Sequence, residues 1–191
     1  MRKSIFAGLG LALAAALVMW LSAVFDLELE SVVLLGAAVG AVVALVPDRT
    51  PLVRFLGFAA GFVAAWLGYF ARAAFLPDTA GGRAVAVALV LLLCVAVVAL
   101  TAGRLPLWST LLGAAAMVGG YEYTYAAAPP EVATTSVSAA TSMLFCIGVG
   151  YLVAATLAPK ASVANVVPPP PRTSDEDLEH TSFNDLMEKT K

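Results

Sequence analysis

The sequence predicts an all-α integral membrane protein: a six-transmembrane-helix bundle with short loops, followed by a C-terminal tail that is either disordered or a short helix. Three observations predict it. Of the 191 residues, 61% are hydrophobic and 13% charged, where a soluble domain has roughly 45–50% and about 25%; the mean hydropathy is +0.90. The apolar residues gather into six runs, most of them near the roughly 20 residues that a spanning helix needs. The breaks between runs are short and mostly rich in Pro and Gly, the strongest local punctuators of regular structure.

The first run, Ser4–Phe25, follows Arg2 and Lys3. A basic start and an apolar core resemble a signal peptide, but the run exceeds the roughly 7–15 residues usual for such a core. Trp20 and Phe25 suit an interfacial belt. Retention as a helix is expected; cleavage near Ala23 would leave five spans. The second run, Glu30–Val46, is short, about 25 Å at 1.5 Å per residue. It reaches back to Leu27 if Glu28 and Glu30 snorkel outward. Pro47 ends it. The third, Leu52–Leu76, opens behind Thr50 as candidate N-cap, with Pro51 at the first helical position. It is strongly aromatic, with Phe55, Phe58, Phe62, Trp66, Tyr69, Phe70 and Phe75 beside a stripe of Gly57, Gly61 and Gly68. The fourth, Arg83–Ala102, follows "LPDTAGGR". The fifth, Leu107–Ala126, follows "TAGRLPL", and the sixth, Thr135–Ala158, follows "AAAPPEVATT". Residues 1–159 therefore form the transmembrane domain. Residues 160–172 are a Pro-rich linker that favours an extended polyproline segment, and residues 173–191 are an acidic tail.

Orientation follows from the basic residues near helix ends. With the N-terminus in the cytoplasm, Arg2, Lys3, Arg49, Arg54, Arg104, Lys160 and Arg172 all fall on the cytoplasmic side. Arg83 is the clear exception outside, and Arg72 sits within an outer helix end. Both termini are then cytoplasmic. The Ala/Val/Leu/Gly bias is that of a GC-rich genome, which points to a bacterial cytoplasmic membrane.

Two G-x-x-x-G motifs, Gly36 with Gly40 and Gly57 with Gly61, let helix backbones approach for van der Waals contact. The contact is either within the bundle or across an oligomer interface. Both motifs lie in a faint repeat, Leu35–Asp48 against Leu56–Asp78, for which chance recurrence in so biased a composition is the simpler account. Two charges lie at depth, and an intramembrane charge is a functional hypothesis by default. Arg72 and Glu122 each sit about one turn from the outer end of their helix, at similar depth. They form a candidate ion pair or ligand site, with Tyr121, Tyr123 and Tyr125 supplying hydroxyls. The competing account has each snorkel independently to the interface. The hydroxyls of Thr134–Ser142 either line a small polar cavity with Glu122 or bond back to their own helix.

Several function classes are disfavoured. No basic patch exists, so nucleic acid is not an expected partner. Cys94 and Cys146 lack a C-x-x-C or His companion and read as small buried hydrophobes; no metal or cofactor is expected. The runs carry no midplane ionisable residue for a proton relay, no nucleophile with a base and no phosphate loop, so an enzyme is not expected. The expected partners are the lipid bilayer and a membrane or cytoplasmic protein engaged through the tail. There Phe183, Leu186 and Met187 fall within one turn of a helix that Ser182 would cap, as anchors for a groove. A solubilising disordered tail is the competing account. The leading expectation is a non-enzymatic accessory or scaffold subunit that packs against partner helices. The alternative is a small transporter component with an outward-facing polar site near Arg72 and Glu122.

Overall fold

The computed structural model describes residues 2–25, 29–77 and 79–157. Among the described residues six α-helices follow one another: α1 (Arg2–Phe25), α2 (Val33–Leu45), α3 (Pro51–Phe75), α4 (Ala80–Leu100), α5 (Leu107–Ala127) and α6 (Val132–Leu157). A 3-10 turn at Pro129–Glu131 leads into α6, and no strand occurs among the described residues. Helices α1, α3, α4 and α6 are long and apolar enough to cross a membrane. Helix α2 has only 13 residues, and in α5 the Ser, Thr, Tyr and Glu122 side chains lower the hydropathy. The linker at 160–172 and the tail with Phe183, Leu186 and Met187 lie outside the described residues, as do Leu27 and Glu28.

Local chemistry moves several boundaries from those expected. Helix α2 begins at Val33 rather than Glu30, because Leu29–Val32 form a turn. The Leu29 carbonyl accepts from Val32 and Val33 N–H at 3.0 and 3.1 Å, while Leu29 N–H is held by Ser22 Oγ of α1 at 2.9 Å. Thr50 makes no side-chain cap; Pro51 follows it at the first helical position, where proline's missing N–H leaves no donor unpaired. The N-cap hydroxyl is instead at Thr79, which accepts from Gly82 N–H at 3.2 Å and starts α4 at Ala80 rather than Arg83. The other end of α4 closes through two left-handed residues, Ala102 (φ 51°) and Gly103 (φ 69°). Gly103 N–H reaches the Val98 carbonyl at 2.9 Å, the usual way of satisfying a last-turn carbonyl.

The core is built from two helix pairs, α2 with α6 and α3 with α5. Each pair runs parallel, since the contacting residues ascend together: Gly36 with Cys146 and Gly40 with Tyr151 in one, Gly57 with Ser109 and Arg72 with Glu122 in the other. Glycine makes both approaches possible. A Cβ on Gly40 would fall on the Ile147 carbonyl, and one on Gly150 on the Ala37 carbonyl. A Cβ on Gly61 would fall on the Thr110 carbonyl, and one on Gly113 on the Phe58 carbonyl. The two G-x-x-x-G motifs thus face partners inside the chain, and each partner helix adds a glycine of its own.

The two pairs share one register. Contact residues of α2 map onto α5 by a constant shift of 73 positions: Gly36 to Ser109, Ala37 to Thr110, Gly40 to Gly113. Those of α6 map onto α3 by a constant shift of 89: Cys146 to Gly57, Ile147 to Phe58, Gly150 to Gly61. The outer helices follow the same rule. Helix α1 packs on α6 where Gly10 meets Leu157, and α4 packs on α3 where Gly68 meets Val90; Leu157 maps to Gly68 by the same shift of 89. Helices α1–α3 and α4–α6 are therefore two equivalent halves that exchange their third helices. With three helices each, consecutive and antiparallel, the halves run in opposite directions. The faint sequence repeat between α2 and α3 is a by-product: these two helices hold the matched glycine contacts, but they are not the equivalent elements.

Helices α1 and α4 stand outside this core. Among the described side chains, α4 buries only Gly82 and Cys94, and α1 buries Val18 and Ser22. Leu13 (72% exposed) and Leu92 (65%) are typical of the rest. Apolar surface so extensive on two whole helices is not that of a monomer adapted to water.

Candidate functional site: the Arg72–Glu122 cluster and its cleft

The site forms where the ends of the parallel pair α3/α5 present one face each. Tyr69 and Arg72 are three residues apart on α3, and Tyr121, Glu122 and Tyr125 are one turn on α5, so each set shares a face. Arg72 Nη1 lies 3.0 Å from Glu122 Oε1 and 3.3 Å from Oε2. Tyr69 donates its hydroxyl to Glu122 Oε2 at 2.7 Å. The Arg72 guanidinium also lies over the Tyr125 ring, 4.5 Å from its centroid, a favourable cation–π geometry. Tyr69 packs edge-on to Tyr121 at 4.9 Å and against Tyr125 at 5.0 Å. Arg72 is buried, whereas the Glu122 side chain is 46% exposed. The pair is thus sunk on its cationic side and open on its anionic side.

The residues predicted for this site divide. Tyr121 is fully buried and turns its hydroxyl to Thr135 Oγ1 at 2.7 Å, away from the ion pair. Its role is packing under Tyr69 and tying α5 to α6. Tyr123 is 91% exposed and stands outside the cluster, because a neighbour one position from Glu122 points about 100° away around the helix. Tyr69 was not singled out for the site, although its spacing of three from Arg72 was the available signal. The α6 hydroxyls do not join Glu122 in a polar cavity. Ser136 accepts from Trp66 Nε1 at 2.9 Å; Thr134 and Thr135 bond back to the Glu131 carbonyl.

A second arginine has a role that sequence reasoning did not assign. Arg54, in the first turn of α3, is buried and donates Nη1 to the carbonyls of Val43 (2.8 Å), Ala44 (3.0 Å) and Val46. These are the last-turn carbonyls of α2, which lack intrahelical donors and carry the negative end of the helix dipole. Arg54 therefore serves as the C-cap of α2 from the neighbouring helix.

Beside the ion pair a cleft of about 490 Å³ opens between α3, α4 and α5. Ala65 and Gly68 of α3, Ala86 and Val90 of α4, and Ala114 and Val118 of α5 line its apolar length; Arg72, Arg83 and Glu122 line its polar end. No group of three or more metal-ligating side chains occurs among the described residues. No known protein family matches the sequence, and no curated protein or solved structure is detectably similar to it.

Proposed function

We propose that this protein is a non-enzymatic, six-span accessory or scaffold subunit of a bacterial cytoplasmic membrane. Both termini face the cytoplasm, and the C-terminal tail is presented to a cytoplasmic partner. The observation that carries the reading is where the deep polar groups go. Arg72, Glu122 and Tyr69 bind one another, Ser136 binds Trp66, and Arg54 caps α2. Each interaction ties one helix to another, which is the use of polar groups as glue in a bilayer. The uncovered apolar faces of α1 and α4 then meet lipid or partner helices. The short α2 spans by means of the turn before it, and the clustering of Arg49, Arg54 and Arg104 with the start of α1 supports this orientation.

The test is capture from native membranes in mild detergent, comparing the full chain with a deletion of Asp175–Lys191. The expected result is a cytoplasmic protein that co-purifies with the full chain and is lost with the deletion at equal expression. Unchanged partners would reject the tail as the docking element.

One observation favours the alternative of a transporter component: the two inverted three-helix halves. Inverted repeats are the frame on which many transporters rock about a central site. Here the supporting feature is architecture rather than site chemistry, so this reading ranks second.

A further inference from the structure

We infer that the cleft between α3, α4 and α5 binds one zwitterionic phospholipid, with an acyl chain along its apolar walls and a primary-ammonium head against the exposed carboxylate of Glu122. The inference rests on the membrane reading above, but not on the scaffold role.

The dimensions fit one chain of one leaflet. On α5 the walls run from Leu111 to Glu122, about 16 Å at 1.5 Å per residue. Half of a hydrocarbon core about 30 Å thick is about 15 Å. Spread over that length, the volume of about 490 Å³ leaves a mean cross-section of about 30 Å². A helix roughly 10 Å across needs about 80 Å², so a partner helix does not enter. Small residues, Ala65, Gly68, Ala86 and Ala114, form the groove where larger ones would fill it. Left empty, such apolar walls forfeit their dispersion contacts, and water does not take their place in an apolar cavity. A lipid chain supplies those contacts.

The head is selected by a hydrogen-bond acceptor rather than by positive charge. Arg72 is buried and paired with Glu122 at 3.0 Å, and Arg72 and Arg83 both have further interactions. The same end of the bundle carries Glu30, Glu122 and Glu131, and the segments that follow α1 and α3 in the sequence add Asp26, Glu28 and Asp78. These acids outnumber Arg72 and Arg83, and the balance disfavours an anionic head. Glu122 is 46% exposed. It already accepts from Tyr69 at 2.7 Å and from Arg72 at 3.0 Å, but a carboxylate has about four lone-pair sites, which leaves acceptor capacity on its open side. A primary ammonium donates N–H there in a charge-assisted bond; a quaternary ammonium has no N–H to give. The phosphate of the same head lies toward Arg83 at the rim of the cleft, so the zwitterion meets both signs and adds no net charge.

The experiment uses the full-length protein extracted from membranes and stripped with detergent. It is offered phosphatidylethanolamine, phosphatidylcholine or phosphatidylglycerol with identical acyl chains, and retained lipid is counted by native mass spectrometry. Phosphatidylethanolamine is expected to be retained about fivefold better than phosphatidylcholine, the worth of about one hydrogen bond, and better than phosphatidylglycerol. Glu122→Gln is expected to remove the preference over phosphatidylcholine. Ala115→Trp, at an exposed wall position, is expected to abolish retention of all three. Thermal unfolding of each variant in detergent separates a blocked cleft from a misfolded one. If Ala115→Trp unfolds, Val118→Trp replaces it; if Glu122→Gln unfolds, the comparison of the three lipids on the unaltered chain decides. Equal retention of phosphatidylethanolamine and phosphatidylcholine, best retention of phosphatidylglycerol, no retained lipid, an unchanged preference in folded Glu122→Gln, or full retention by a folded tryptophan variant overturns the site. A lipid-free dimer disrupted by Ala115→Trp also overturns it, by assigning the cleft to a second copy. Recovery of the chain in the soluble fraction without detergent overturns the membrane reading instead.

Discussion

Arg72 is the residue on which the candidate site turns. Its guanidinium is buried, yet it is shared between a carboxylate at 3.0 Å and a tyrosine face at 4.5 Å. A buried charge without a partner is strongly destabilising, and removing one member of a pair costs more than removing both. Arg72→Ala and Glu122→Ala should each lower thermal stability in detergent. The double variant should lose less than the two losses added, with a coupling of about 0.5–3 kcal/mol; additive losses would show that the contact contributes nothing. Tyr69→Phe removes one hydrogen bond to Glu122 while keeping the ring stacks, so a loss of about 1 kcal/mol is expected. Tyr123→Phe serves as the control and should change nothing, since Tyr123 is 91% exposed.

At the scale of the element, the parallel pairs are decided by backbone contact. Gly40, Gly61, Gly113 and Gly150 are places where an added Cβ meets a carbonyl group of the facing helix rather than the tip of a side chain. A rotamer change cannot relieve such a clash, so the whole helix must move. Gly61→Leu and Gly40→Leu should each cost about 3 kcal/mol or more, the upper end for overpacking. They should appear as loss of the monodisperse peak after mild heating. Gly148 lies on the same α6 as Gly150 but has nothing within 4 Å of its would-be Cβ. Gly148→Leu should therefore be neutral or slightly stabilising, because leucine is the better helix former. An equal response at Gly148 and Gly61 would refute the account of packing by close approach.

At the scale of the whole molecule, the exchange of third helices makes each half dependent on the other. Helix α3 finds its glycine partner in α5, and α6 finds its own in α2. Residues 1–78 and 79–191 expressed separately should each be degraded or aggregated, while co-expression should yield a complex that purifies through a tag on either half. Stable, independent halves would mean that the two pairs are not the core. Reporter fusions test the proposed orientation. A fluorescent protein after Lys191 should glow in the cytoplasm, and an exported phosphatase inserted after Thr79 should be active outside; the reverse pattern would invert the molecule.

The features legible in the residues alone are those that short-range chemistry sets. Six apolar runs and their Pro/Gly breaks gave six helices with ends displaced by a few residues, because hydropathy, Pro51 and Gly103 act locally. That Arg72 and Glu122 stand at one level of the bundle, 3.0 Å apart, was legible from helix order and length. Which helices pair is a matter of long-range packing, since α2 with α6 and α3 with α5 are contacts between segments distant in the chain, and glycine spacing names a face without naming its partner. The same packing decides that Tyr69, not Tyr123, meets Glu122, that Arg54 caps α2, and that a cleft lies beside α4. Each of these depends on the rotation of one helix against another. That rotation is set by carbonyls meeting glycines across the pairs, a constraint that no single run of sequence contains.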